Sequence, residues 1–326
     1  MKKAIVLINA LSSDPSEDEL DVLEQACLVE ETLEQLGIES ERVFMDFNIQ
    51  AVVAQITGLS PDFVVNLVEG VAQDARLIHW APALLEHLKI PFTGCGSESM
   101  YITSNKTLTK KLLLANGIPT PELVTDISSG EFKPNKKYIA KPVWEDASVG
   151  ISDANVLEGE LAKINAFLSA NQNRMWFFEE FVTGREFNIS VLGGKNGPEV
   201  LPMAEIVFDN FPEGKPHIIG YEAKWNEDSF EFKHTNRRFG IEQETPDLAE
   251  KLSNICHQCW QLFGLKGYVR IDFRVDEQNN PYVLEINANP CLSPDAGFYA
   301  AALEAGLSFN TVLTRIIEDA HSSVII

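Results

Sequence analysis

Positive charge is what this chain has least of. Across 326 residues, 26 Lys and Arg stand against 48 Asp and Glu, a formal net charge of −22. Such a surface repels nucleic-acid phosphates and anionic lipid, which argues against either as a partner. Any phosphate-bearing ligand therefore needs basic residues gathered in one place. Long apolar runs are missing too. The opening MKKAIVLINALSSDPSEDEL turns polar too soon for a signal-peptide core, and nothing later reaches the ~20 residues of a membrane span. Cysteine is sparse, five residues without a disulfide-like spacing, so the expected compartment is the reducing cytoplasm. Two phosphate signatures are absent: there is no G-x-x-x-x-G-K-[ST], and GCGSESM at Gly94 lacks the third glycine of G-x-G-x-x-G.

The length predicts two or three domains, and what is present divides into three parts. Up to residue 96, AIVLIN reads as a strand buried on both sides, and a helix follows over Glu17–Gly37. Strands at Glu41–Met45 and Asp62–Asn66 and a helix at Ile78–Leu88 continue the alternation, which predicts an open, largely parallel, Rossmann-like sheet. In residues 97–182, Ser104 is the expected cap of a helix carrying Lys106, Lys110 and Lys111. Strands at Pro121–Thr125 and Lys137–Lys141, the loop VWEDASVGIS, a helix near Gly159–Ala170 and the strand MWFFEEFV make a second, α+β unit. In residues 183–326, EFNISVLGG and GPEVLPMAEIVF form a hairpin across GGKNG. Asp209–Thr235 shows little periodicity, then come a helix, the strands YVRIDFRV and PYVLEIN, and two closing helices. CHQC at Cys256 falls on a helical apolar stripe and reads as buried structural cysteine.

Candidate chemistry concentrates in the last hairpin. Arg270 and Asp272 share one face of its first strand, and Glu285 and Asn287 share one face of its second. If the strands pair, Asp272, Glu285 and Asn287 cluster as hard oxygen donors, suited to Mg²⁺ with positions left for water and phosphate. The alternative is a solvated polar face on an edge strand. Lys106, Lys141 and Lys224 are each ordinary surface lysines taken alone, although Lys141 ends the apolar strand YIAKPV and needs an anionic partner. The small residues Ala147, Ser148 and Gly150 of the Glu145–Ser152 loop let backbone N–H groups approach a phosphate.

In order, the lysine–helix, KP…SVG, EEFVTGREF, YEAKW, RIDF and EINANP resemble the ATP-grasp ligases, and most nearly their D-alanine–D-alanine ligase branch. The resemblance runs from Pro91 onward and implies an α/β (α+β) ATP-grasp fold, two α+β lobes clasping ATP behind the N-terminal sheet. It implies that Lys106 and Lys141 hold the nucleotide phosphates, with Ser148 in the loop that folds over them. Glu179, Glu180 and Val182 belong to the hinge that reads adenine, Glu186 to the ribose hydroxyls, and Lys224 to the γ-phosphate. Asp272, Glu285 and Asn287 become ligands of two Mg²⁺ ions (Mn²⁺ as a substitute), and Arg270 the stabiliser of the reacting oxyanion. The Glu145–Ser152 and Asp209–Thr235 loops become the lids. A homodimer is implied as well.

Departures from the family lie at the substrate end. The dipeptide-forming members orient the substrate amine with a Glu–Ser–Tyr set; Ala147 and Trp225 occupy the serine and tyrosine positions, and Glu19 and Asp21 are candidates for the glutamate. Glu69-Gly70 replaces a His-Gly pair, which favours a cationic substrate group. Ala296-Gly297 replaces the serine beside the second substrate's carboxylate. The expected activity is ATP-dependent joining of a carboxylate to an amine of amino-acid or small-peptide type, through an acyl phosphate, with a pair other than two D-alanines. A retired nucleotide-binding regulator and a kinase-like phosphotransferase are the competing expectations.

Overall fold

The computed structural model describes residues 2–124, 132–145 and 147–322. Thr125, the end of one expected strand, and Asp146 of the phosphate loop lie outside the described residues. The first sheet alternates β1 (Lys3–Asn9), α1 (Glu17–Gln35), β2 (Glu39–Met45), α2 (Ile49–Leu59) and β3 (Phe63–Asn66), followed by α3 (Trp80–Leu88). Its order is β2-β1-β3, all parallel, as the alternation predicts. β1 reads as an unbroken apolar run because both its faces are covered. Ile5 and Leu7 pack with Val43 and Ile56 on one side, and Ala4, Val6 and Ile8 pack with Val22, Ala26 and Val29 of α1 on the other.

Two helices come next, α4 (Ser97–Ser104) and α5 (Lys106–Ala115). Ser104 is the last residue of α4 rather than the cap of α5. Asn105 caps α5 instead, its side chain accepting the Leu108 N–H at 3.1 Å. The polar run SESMYITS carries no apolar stripe, so α4 was not visible as a helix.

The second sheet contains β4 (Leu123–Val124), β5 (Lys137–Pro142), β6 (Val156–Glu158), then α6 (Leu161–Ala170) and β7 (Trp176–Glu180). It is antiparallel, ordered β4-β7-β5-β6, over a small core of Phe132, Tyr138, Ala140, Ile164 and Phe178.

The third sheet begins with β8 (Arg185–Leu192), β9 (Glu199–Val200) and β10 (Ala204–Phe208), the expected hairpin interrupted at 201–203. The stretch without periodicity holds two single-turn helices, α7 (Tyr221–Trp225) and α8 (Phe230–His234), and runs into β11 (Thr235–Arg238). Elements of four or five residues are too short to display a period. After α9 (Ile241–Glu244) and α10 (Pro246–Leu262) come β12 (Tyr268–Val275), β13 (Pro281–Asn287), α11 (Gly297–Glu304) and α12 (Phe309–Ser322). The order is β11-β10-β8-β12-β13, with β9 beside β8. α10 buries Leu248, Leu252, Ile255, Cys256 and Cys259 against it, so both cysteines are packing residues. Met100 of α4 and Leu113 of α5 join that same core with Ile271 and Val283. α11 and α12 fold back onto the first sheet, where Phe298, Val312, Leu313 and Ile316 pack with α1 and β1. Among the described residues no helix is long and apolar enough to cross a membrane.

Candidate functional site

β12 and β13 pair antiparallel, with Arg270 opposite Asn287 and Asp272 opposite Glu285. Beyond Glu285 the register shifts by one, leaving Leu284 as a bulge. On the other flank β8 sets Asn188 opposite Asp272 and Glu186 opposite Arg274. Period-two alternation puts these side chains on one face, and that face is the floor of a cleft of about 790 Å³. Lys106, Lys141, Ser148 and Lys224 line the same cleft, as do Glu186, Arg270, Asp272, Glu285 and Asn287. The structure thus gathers residues that are up to 181 positions apart in number, from Lys106 to Asn287.

Charge is balanced closely here. Arg270 grips Asp272 with two bonds, Nε to Oδ1 and Nη2 to Oδ2, both 2.8 Å. Asn287 donates from Nδ2 to Asp272 Oδ2 at 3.2 Å. Lys106 donates to the Glu145 carbonyl at 2.6 Å and stands 3.7 Å from Glu285. Burial raises the Glu285 carboxyl, but Lys106, Lys141, Lys224 and Arg270 outweigh it and hold the group at about 2. Burial and then Arg270 push the Lys224 ammonium down from its ordinary value. Burial also pushes the Glu186 carboxyl up, against the pull of Arg274. Two carboxylates and a carboxamide on adjacent strands are a donor set that fits a hard divalent cation, and Glu285 is anionic at any neutral pH. The surrounding lysines and arginines give a polyphosphate the local positive field that the −22 chain otherwise lacks.

Both loops expected as lids line this cleft, and they are tied to each other. Ser148 Oγ donates to the Ile219 carbonyl at 2.8 Å, the Tyr221 N–H to the Ile151 carbonyl at 3.0 Å, and Trp225 Nε1 to the Ala147 carbonyl at 3.0 Å. Ala147 and Ser148 both hold left-handed backbone, φ 53° and 62°, at a cost of ~1–3 kcal/mol each that the ties must offset. Where the family pairs a serine with a tyrosine, this chain bonds an indole N–H to a backbone oxygen, which any residue at 147 would supply.

Beyond Lys141 a smaller pocket is lined by Glu179, Glu180, Phe181 and Val182. The Glu179 carboxylate is 1% exposed and turned inward, with Oε1 2.8 Å from Lys141 Nζ and Oε2 2.5 Å from Lys110 Nζ. The Glu180 carboxylate is likewise held, 2.5 Å from Lys136. The buried Lys110 and the partly buried Lys141 need an anion more than a solvated edge does. The Val182 N–H, by contrast, has no acceptor among the described residues, leaving a backbone donor at the pocket wall. Lys110 was missed because a lysine on an amphipathic helix reads as surface.

At the other end of the cleft one wall is acidic. Glu19, Asp21 and Glu69 line it, with Asp295 from the segment before α11. Glu19 accepts from Ser12 and Ser16 and so also caps α1; burial raises its carboxyl, yet these bonds bring it below the ordinary value. Asp21 accepts from Cys291 Sγ at 2.9 Å, and Glu69 from Gln25 Nε2 at 2.9 Å. Trp225, Ala296 and Gly297 line the same cleft. Arg237, which the sequence reading overlooked, stands across from the acidic wall: a side chain on Gly297 would come 3.5 Å from its Nη2. Its guanidinium has no hydrogen bond or ion pair among the described residues. Strand alternation was the available signal, since Arg238 pairs outward with Glu205 and Glu244 while Arg237 turns to the cleft.

Comparison with known proteins agrees with this architecture. The family model described as the D-ala D-ala ligase C-terminus matches residues 134–318. The D-alanine–D-alanine ligase of Carboxydothermus hydrogenoformans is 30% identical over 246 residues, 72% of this chain and 74% of that protein. That of Aquifex aeolicus is 29% identical over 319 residues, 97% and 99% of the two chains. In three dimensions the chain is similar to the D-alanine–D-alanine ligase from Bacillus anthracis complexed with ATP, TM-score 0.76 at 19% identity, covering 99% and 98% of the two chains, a likeness of fold. With an ordered cleft, a matching family model over more than half its length and full-length relatives, this chain belongs to the D-alanine–D-alanine ligase family of ATP-grasp carboxylate–amine ligases.

Proposed function

We propose that the protein is a Mg-ATP-dependent ligase that joins the carboxylate of one amino acid or small peptide to the amine of another, with a pair other than two D-alanines. In this reading, segments 97–182 and 183–326 are the lobes that hold ATP, and residues 1–96 supply the substrate wall. The observation that carries it is the shared face of β8, β12 and β13, where Asp272, Glu285 and Asn287 sit among Lys106, Lys141, Lys224 and Arg270. Asp272, Glu285 and Asn287 would hold Mg²⁺, which when bound neutralises triphosphate charge. Lys106 and Lys141 hold the phosphates, the Val182 N–H meets the adenine edge, and Lys224 reaches the terminal phosphate from α7. The substrate carboxylate attacks the γ-phosphorus and ADP leaves. The amine then attacks the acyl carbon, Arg270 stabilises the oxyanion, and phosphate leaves. The tied loops exclude water from the acyl phosphate.

The bipolar substrate end supports amino-acid substrates. Its acidic wall suits an ammonium group, and Arg237 suits the carboxylate of the acceptor. Loss of the family serine at Ala296, of the serine–tyrosine pair at Ala147 and Trp225, and of His-Gly at Glu69-Gly70 supports a different pair from two D-alanines. Purified protein with Mg-ATP and pairs of amino acids is expected to release phosphate only when both substrates are present. Turnover with a single substrate would instead indicate a phosphotransferase, and none with any pair a binding protein. Arg237→Gln is expected to raise the acceptor KM about tenfold, the worth of one charged hydrogen bond, and to leave the KM for ATP unchanged. Steady-state kinetics with each substrate varied in turn checks this.

A further inference from the structure

Arg274 follows Arg270 and Asp272 at the next position of the same face of β12. Its side chain is 5% exposed. Nη2 lies 2.8 Å from Glu186 Oε2 and donates to the His217 carbonyl at 2.7 Å. Nη1 donates to the Gly184 carbonyl at 3.3 Å, and the guanidinium carbon lies 5.8 Å from the centre of the Phe181 ring. These contacts join three chain segments: the hinge at 181–184, β8, and the loop of 209–235. Gly184 is required at the hinge, with φ 138° and a Cα so close to β12 that a side chain would overlap the Val275 carbonyl. His217 is itself anchored, stacked on Phe208 with ring centres 5.1 Å apart. Arg274, with Lys141, Ile139 and Leu284, lines both the hinge pocket and the large cleft. It therefore stands at the neck between them, where a nucleotide spanning both would place its sugar.

We propose that Arg274 is a positioning residue that couples recognition of the nucleotide sugar to closure of the 209–235 loop. It fixes the Glu186 carboxylate for the sugar hydroxyls and pins the loop through the His217 carbonyl. A guanidinium suits this because its planar fork serves a carboxylate and two carbonyls at once, which an ammonium at the end of a flexible stem does not. The inference rests on the nucleotide reading of the cleft. A buried ion pair that only supports the fold would contact Glu186 equally well, so the test must read sugar preference and loop protection.

Wild type, Arg274→Met and Arg274→Lys are titrated calorimetrically with ADP and with 2′-deoxy-ADP in the presence of Mg²⁺, and digested with protease with and without ADP. Wild type is expected to prefer ADP about tenfold, one charged hydrogen bond's worth, and to be protected from cleavage within 209–235 by ADP. Arg274→Met loses both the preference and the protection. Arg274→Lys, which keeps the charge beside Glu186, recovers the preference but leaves the loop cleavable. The same sugar preference and the same protection in Arg274→Lys as in wild type would overturn the proposal, even if Arg274→Met fails to fold. A wild type that binds neither nucleotide would overturn the nucleotide reading itself, and this inference with it.

Discussion

Glu285→Gln is expected to lower kcat/KM by about 10²–10³, the scale on which loss of one strong electrostatic contact to a transition state is felt. Glutamine keeps the shape and one oxygen donor while deleting the charge. That charge is present throughout the working pH range, because four cations hold the carboxyl at about 2 despite its burial. Asp272 does not make up for the lost charge, since its own is already offset by the Arg270 guanidinium. The free protein should lose at most ~2 kcal/mol of stability, because the side chain is 24% exposed and water screens part of its field. Phosphate release and thermal unfolding, measured side by side without nucleotide in the second, separate the two effects. A rate within a few-fold of the parent would remove Glu285 from the metal set.

The largest stability effect belongs to a different carboxylate. Glu179→Ala is expected to destabilise the fold by about 3–5 kcal/mol, since it strands the buried Lys110, and the partly buried Lys141 beside it, without their anion. Lys110 is 1% exposed, and its remaining contact is a hydrogen bond to Thr120 Oγ1 at 2.9 Å. Lys110→Met in the same background should restore part of the loss, and a double-mutant cycle by denaturant unfolding measures it. The pH dependence has a definite sign. Burial raises the Glu179 carboxyl, but Lys110 and Lys141 outweigh it, so its folded pKa lies below the ordinary 4.5. Its stabilisation is therefore fully present above pH 4.5 and disappears as the pH falls through the folded value. Wild type should lose stability over that acid range, and Glu179→Gln should lose less. Parallel acid profiles for the two proteins would mean that Glu179 is not the titrating group.

The two predictions differ in how much of their basis a reader of the sequence could see. The β12–β13 hairpin was legible because polar residues at every second position of an apolar strand admit one arrangement, and Asp272 does lie opposite Glu285. The first sheet was legible for the same kind of reason, a run with both faces apolar. The ion pairing of Glu179 was not legible because its partners come from elsewhere, Lys110 from a helix 69 positions earlier in number. Burial of a helical lysine is decided by what packs on it, and no local pattern records that. Arg274 was overlooked although the alternation through Arg270 and Asp272 already pointed to it. α4 was hidden for another reason, lying in a stretch too polar to carry an apolar period.

The return of α11 and α12 to the first sheet bears on how the polypeptide matures as it is synthesised. Phe298, Val312, Leu313 and Ile316 complete an apolar layer that Ala4, Val6 and Ile8 begin. A ribosome finishes those late residues long after β1 and α1 have left the exit tunnel, so the layer between them stays only partly covered until then. Chaperone demand should accordingly persist until α11 and α12 emerge, and a nascent chain stalled before residue 297 would present a sticky, partly covered layer.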